Sequence, residues 1–185
     1  MSENISLKQS IDEIKIFNFK KFEDDRGFFS EIYIKDIIEN HIENFEISQI
    51  NFSMSKKNVA RGLHLQISPP MGKMMRLVKG KAIFLAFDCR RKNNIKKEIF
   101  YIELNSASNL FIWAPHYYAR GFISLEDNTL VEYLCTGRYN QKGEYAINMF
   151  DQSLKIPYKK NHYDISEKDK EAMSVDNWFS LNIDL

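Results

Sequence analysis

Lys81-Ala82-Ile83-Phe84-Leu85-Ala86-Phe87-Asp88 decides the reading of this chain. Successive side chains of a strand point to opposite faces. Ile83, Leu85 and Phe87 therefore share one face, and Ala82, Phe84 and Ala86 the other. Both faces are apolar, which predicts a strand covered on both sides and central in its sheet. Outward from it the period stays at two: 45–53, 59–66, 73–78, 97–104, 109–114, 118–125 and 129–135 all read as strands. The turn signals SPPMG, VKGK, RRKNN, NSASN, APHY and LEDN separate them. Many short strands at this spacing predict an all-β sandwich or closed barrel.

The flanks differ. Residues 1–10 are polar and expected to be loose or tethered to a partner, while Ile14, Ile16, Phe17 and Phe19 begin a strand pattern. DDRG reads as a turn and FFSEIY as a second extended piece. Apolar residues at 34, 37, 38 and 42 are spaced for a helix over 34–44. Near the end, Ser166 is a candidate N-cap with Asp169 three positions on, so a short helix is expected to close the chain. With neither repeats nor a linker, 185 residues read as one domain.

Composition narrows the function. The chain carries 26 basic and 25 acidic residues, so no global field draws nucleic acid or an anionic membrane, and anion binding must come from local Arg and Lys. No apolar run approaches the roughly 20 residues of a membrane span, and the N-terminus lacks a signal pattern. Cys89 and Cys135 sit in apolar runs without CxxC spacing and read as small buried hydrophobes in a reducing compartment. The expectation is a cytoplasmic protein.

Chemistry concentrates in RGLHLQ, Arg61–Gln66. Strand alternation puts Gly62, His64 and Gln66 on one side and Leu63 and Leu65 on the packed side, so His64 faces a polar cavity or solvent. A lone strand histidine is either structural or a base near neutral pH. The second position of an HxH metal pair is Gln66 here, and the remaining histidines do not assemble with His64 by spacing; no metal site is expected. Tyr133 alternates with Val131 and Cys135 and is either a buried tyrosine with a satisfied hydroxyl or an acid. Arg26, Arg61, Lys73 and Arg120 are the anion candidates. Arg120, between Ala119 and Gly121 in an apolar stretch, needs a carboxylate, carbonyl or phosphate.

Taken together, DDRGFFSE (24–31), QINFS (49–53), RGLHLQ (61–66), the Gly72-Lys73 pair, PHYYARGF (115–122), EYLCTGRY (132–139) and the late SEKD (166–169) resemble the dTDP-4-dehydrorhamnose 3,5-epimerases over nearly the whole chain. The resemblance implies a double-stranded β-helix, the cupin jelly roll, with short flanking helices. It implies that His64 is the catalytic base, that Asp169 orients it and that Tyr133 is the acid on the opposite face. Arg26, Glu31, Gln49, Asn51 and Arg61 would hold the nucleotide, its diphosphate or the sugar, with Lys73 near the keto oxygen. Tyr139, Glu144 and Lys168 would make further substrate contacts. It also implies a metal-free, cofactor-free homodimer acting on a nucleotide-diphosphate 4-keto sugar. An N-terminal strand would cross to the partner, so that Arg26 serves the neighbour's site.

One stretch departs from the family pattern. PxGFAHGF becomes PHYYARGF, which places Arg120 where a histidine is usual and Tyr117 where a glycine is usual. Base and acid are kept while the sugar pocket is altered, so the reaction class is expected to hold and the sugar, or the number of centres inverted, to differ. The chemistry fits the groups. A histidine with a pKa of about 6.5 removes a proton beside a ketone at neutral pH, and a tyrosine returns one to the other face. Lys73 and Arg120 would bear the developing oxyanion. Two alternatives are a nucleotide-sugar 3,4-ketoisomerase, against which RGLHLQ and the late SEKD speak, and a non-catalytic sugar-nucleotide-binding homologue, against which the retention of His64, Tyr133 and Asp169 speaks. A metal-dependent dioxygenase is disfavoured by Gln66.

Overall fold

The computed structural model describes residues 4–90, 99–156 and 163–185. In chain order the strands are β1 (Ile5–Ile11), β2 (Ile14–Phe19), β3 (Phe22–Asp24), β4 (Gly27–Phe29), β5 (Gln49–Ser55), β6 (Val59–Gln66) and β7 (Lys73–Lys79). There follow β8 (Lys81–Asp88), β9 (Ile99–Asn105), β10 (Leu110–Ala114), β11 (Tyr118–Ser124), β12 (Thr129–Cys135), β13 (Glu144–Ala146) and β14 (Asp164–Ile165). The short helices are α1 (Lys35–Glu39), α2 (Glu167–Lys170) and α3 (Val175–Ser180).

Two sheets carry the architecture. One runs β1-β2-β10-β7-β12-β5, and the other β13-β6-β11-β8-β9 with β14 beside β6. Residues of both inner faces meet in one cluster: Ile16, Met75, Ile112 and Val131 from the first sheet, Phe84, Ala86 and Phe122 from the second. This is the expected jelly roll. Strand β8 lies between β11 and β9 and is covered on both faces. Its Ala82, Phe84 and Ala86 enter the inter-sheet core. Ile83, Leu85 and Phe87 pack outward against Leu63, Leu65, Ile123 and Trp178, so the C-terminal segment roofs this sheet. A third cluster, with Phe17, Phe45, Phe111 and Trp113, lets α1 and its flanking loops cover the outer face of the first sheet. Each such side chain contributes about 1.5–3 kcal/mol by leaving water.

Four expectations shift. Residues 5–11, read as loose or partner-tethered, pair antiparallel with β2 as strand β1, with Ile5 fully buried. The helix read over 34–44 is helical only over Lys35–Glu39; its N-cap is Ile34, which offers no side-chain acceptor. Of FFSEIY only the first residues pair, in the β3–β4 hairpin. The closing helix is two helices, capped by Ser166 on the Asp169 amide (3.2 Å) and by Ser174 on the Asn177 amide (3.1 Å). They are separated where Met173 bonds back to Ala146 and Asn148. Within the strand read over 97–104 and the RRKNN turn, residues 91–98 lie outside the described ones.

Candidate active site

The cavity between the sheets is about 390 Å³, within the usual range for small-molecule sites, and the two sheets furnish different walls. One wall is built by β6 and β11. Arg120 stands directly opposite His64, and directly opposed residues share a face with Cβ atoms about 4.5–5.5 Å apart. On the other wall Tyr133 of β12 stands opposite Met75 of β7 and Asn51 of β5, with Lys73 two residues from Met75 on the same face.

A bulge re-aims β6. Between Arg120 and Phe122 the β11 register advances two residues, while β6 goes from His64 to Arg61, three. One extra residue reverses the alternation, so Arg61, not Gly62, joins His64 on the cavity wall. This corrects the simple two-fold reading of RGLHLQ. Gly62 has φ +109, a conformation L side chains rarely adopt, and an added Cβ would lie 2.7 Å from the Arg120 carbonyl oxygen. Glycine is thus required at the bulge.

His64 is held from behind. Its Nε2 lies 2.5 Å from Asp169 Oδ1. Asp169 Oδ2 accepts from the Gly62 amide at 3.4 Å. With Nε2–H donated to a carboxylate, Nδ1 carries the lone pair that a base needs. Burial pushes the Asp169 carboxyl up, but the hydrogen bond and charge of His64, then the Ser166 hydroxyl and Gly62 amide, outweigh it and leave the group below its ordinary value. Glu144 Oε1 lies 3.8 Å from His64 Nδ1. Burial raises Glu144 too, yet its hydrogen bond from Lys168 and the charge of His64 bring it below the usual range.

The opposite wall carries Tyr133, partly buried against the inter-sheet core. Burial raises the Tyr133 phenol well above its ordinary value; a Ser53 hydrogen bond and the charge of Arg61 pull the other way and lose. At cavity pH it is a proton donor. Lys73 sits over the Tyr133 ring, 5.9 Å from its centroid. Burial first, and then the charge of Arg120, lowers its ammonium to about 8.

Asn51, Arg61, His64, Lys73, Arg120, Tyr133 and Asp169 all line the cavity. Four more residues connect to it by hydrogen bonds. Gln49 donates to Asn51 at 2.8 Å and accepts from the Tyr139 amide at 2.9 Å. The Tyr139 hydroxyl donates to Glu144 at 3.0 Å, and Lys168 donates to the same carboxylate. Two expected residues are not brought there. Arg26 projects from the β3–β4 hairpin, exposed and paired with Asp24 at 2.6 Å, and Glu31 accepts from the Asn4 side chain. Gln66 is occupied structurally: it donates to the Pro69 and Arg138 carbonyls and accepts from the Asn140 amide. Sequence reading missed Ser53, Met75, Phe122 and Ser166 on the wall. Ser53 was findable, since it follows Asn51 by two on one strand face.

A barrel cavity with a carboxylate-held imidazole on one wall and a buried phenol on the other is the build of an isomerase that moves protons. The comparisons agree. Residues 8–177 match the sequence profile of the family described as dTDP-4-dehydrorhamnose 3,5-epimerase, and the chain belongs to that family. It is 31% identical over 184 residues to a dTDP-4-dehydrorhamnose 3,5-epimerase of Methanothermobacter thermautotrophicus, covering 98% of this chain and 96% of the relative. The crystal structure of a dTDP-6-deoxy-D-glucose-3,5-epimerase from Legionella pneumophila, in complex with dTDP-4-keto-L-rhamnose, matches with TM-score 0.86 at 30% identity and covers 93% of each chain. A 3'-monoepimerase from Streptomyces bikiniensis in complex with dTDP-quinovose shares the fold, with TM-score 0.88 at 22% identity over 96% of this chain and 91% of that one.

Proposed function

We propose that this chain epimerises a nucleotide-diphosphate 4-keto-6-deoxy sugar at one or both carbons flanking the ketone, in the making of deoxysugars for surface glycans. One observation carries the reading: the His64–Asp169 pair and Tyr133 stand on opposite sheets of one cavity. A hydrogen beside a ketone is removable because the carbanion is delocalised onto oxygen. His64 takes that proton, the C–H electron pair enters a C=C bond, and the C=O π pair moves to oxygen. Tyr133 then gives its hydroxyl proton to the carbon from the other side, and the centre inverts. His64 ends protonated and Tyr133 deprotonated; exchange with solvent resets both. Electrons stay on the sugar throughout, so the scheme calls for no oxidant or reductant. Asp169 stabilises the imidazolium formed midway. Arg61, Asn51 and Gln49 are assigned to the nucleotide diphosphate or sugar, and Tyr139, Glu144 and Lys168 to further contacts with it.

The same reading includes a homodimer. The edge strand β5 shows Ile50, Phe52 and Met54 outward, 56%, 60% and 59% exposed, and the nearby-in-sequence hairpin shows Phe28 and Phe29. Alternating apolar side chains on an unpaired sheet edge favour pairing with a second copy. In that arrangement Arg26, exposed here, reaches the partner's cavity. The expected compartment is the cytoplasm; among the described residues no helix is long and apolar enough to cross a membrane.

The test is incubation with dTDP-4-keto-6-deoxyglucose in heavy water, followed by NMR. Deuterium at C3 or C5 with inversion is expected. Migration of the ketone to C3 would establish the ketoisomerase in its place, and no change in any 4-keto sugar offered would leave a binding protein.

A further inference from the structure

Among the described residues, Arg120 is the charged side chain left with buried donors unpaired. It is 3% exposed. Its Nη1 donates to three backbone carbonyls, Pro115 at 2.8 Å, Met71 at 3.0 Å and Ala114 at 3.3 Å. Its Nε and Nη2 are buried and have no hydrogen-bond partner among the described residues. No carboxylate there forms an ion pair with it. Burial lowers this guanidinium to about 10. Leaving a buried donor unpaired costs about 1–3 kcal/mol, and more when charged. Such an arrangement persists where something else completes it. The three carbonyls anchor one end of the planar group, so the two open donors are held in place.

Arg120 is the cross-strand neighbour of His64 and lines the same cavity as Lys73 and Tyr133. Among the described residues the one carboxylate on the cavity lining, Asp169, is taken by His64. Arg120 has no carboxylate partner among them, and Glu144 acts on Lys73 only through its charge. A base that removes a proton from the carbon beside a ketone has the ketone oxygen close by, two bonds from that carbon. The phosphate, by contrast, hangs from the anomeric carbon on the far side of the ring from C4.

We infer that Arg120 is a second cationic donor to the C4 oxygen, its Nε and Nη2 joining Lys73 to hold the negative charge formed there when His64 removes the proton. The inference rests on the epimerase reading. As the C–H bond breaks and the C=O π pair moves to O4, the open donors gain a full charge to bind, so they act more strongly in the transition state than on the ketone. Arg120 keeps its charge at every working pH. Lys73 does not, and its neighbours are Arg120, Cys135, Glu144 and Lys168. Two cations sharing one oxygen divide the work between a permanent charge and a titrating one.

The test compares wild type with Arg120→Met, which removes the donors and keeps an unbranched apolar stem, using deuterium wash-in at C3 and C5 of dTDP-4-keto-6-deoxyglucose. Thermal unfolding of each protein is measured alongside. Exchange kcat should fall by about 10²–10³-fold with KM nearly unchanged. Millimolar guanidinium should restore part of the activity of Arg120→Ala. The alkaline limb of the rate profile should move upward from about 8, because Lys73 loses a repelling neighbour. If Arg120→Met does not fold, Arg120→Lys is measured instead; one point charge without the fork should still lower kcat by about tenfold. Wild-type kcat in the variant that folds, or a loss confined to KM without guanidinium rescue, overturns the inference. No exchange in the wild type removes the epimerase reading, and the inference with it.

Discussion

Two groups of side chains in the cavity are finished to different degrees. In one, His64, Asp169, Ser166 and the Gly62 amide bond to one another, and the imidazole is aimed before any ligand arrives. In the other, drawn from both walls, Arg120 leaves two nitrogens without a partner among the described residues, and Lys73 is a buried cation beside it. The difference separates two jobs. Proton removal needs a fixed tautomer and geometry, which the chain supplies for itself. Stabilising a charge that exists only during the reaction needs donors that nothing in the resting protein satisfies. The first group should thus govern whether exchange happens at all, and the second how fast and on which sugar.

Removing the base from the β6 wall should have the largest effect. His64→Ala should lower exchange at every centre by about 10²–10⁴-fold or more, because no other histidine among the described residues lines the cavity. Deuterium wash-in near the wild-type rate would show the base to be elsewhere.

The bulge beneath that wall comes next. Gly62→Ala puts a Cβ 2.7 Å from the Arg120 carbonyl oxygen and the Gly121 Cα, on a backbone with φ +109. A destabilisation of about 1–3 kcal/mol is expected from the strained conformation alone, with more from the clash. It should appear as a lower denaturant midpoint, together with lower activity as Arg61 and His64 move apart. An unchanged midpoint would mean that the strand relaxes into a plain ladder.

Arg26 should give the smallest loss. Charge-assisted contacts to a diphosphate hold ground and transition states alike, so Arg26→Ala should raise KM by about tenfold or more and spare kcat. Mixed dimers with a His64→Ala chain should regain part of the activity if Arg26 serves the partner's site. A change confined to kcat would contradict the assignment.

Much of this was legible in the chain. The double apolar face of 81–88 placed β8 inside its sheet, where it lies between β11 and β9, and the same residues do pack in two directions. His64 stood out by strand alternation and Arg120 by its apolar neighbours, whereas the roles of Tyr133, Asp169, Arg61 and Lys73 came from the resemblance to the family. The bulge was not legible. Period-two reading assumes an unbroken ladder, and only the pairing with β11 reveals the extra residue that turns Arg61 inward. The N-terminal strand was missed for a related reason: Ile5 is buried but Lys8, Gln9 and Ser10 face solvent, so an edge strand reads as a polar tail. The open donors of Arg120 were equally out of reach, since the sequence shows a misplaced charge but not which of its nitrogens the backbone satisfies.

The central claim is that base and acid act from opposite walls, and Tyr133→Phe tests it most directly. Wild type and variant would be incubated with the 4-keto sugar in heavy water, with deuterium incorporation and configuration at each carbon read from the same NMR spectra. His64 remains in the variant, so deuterium should still enter while the configuration is largely retained and inversion falls sharply. Equal loss of incorporation and inversion would contradict the account and leave Tyr133 as a binding or structural residue.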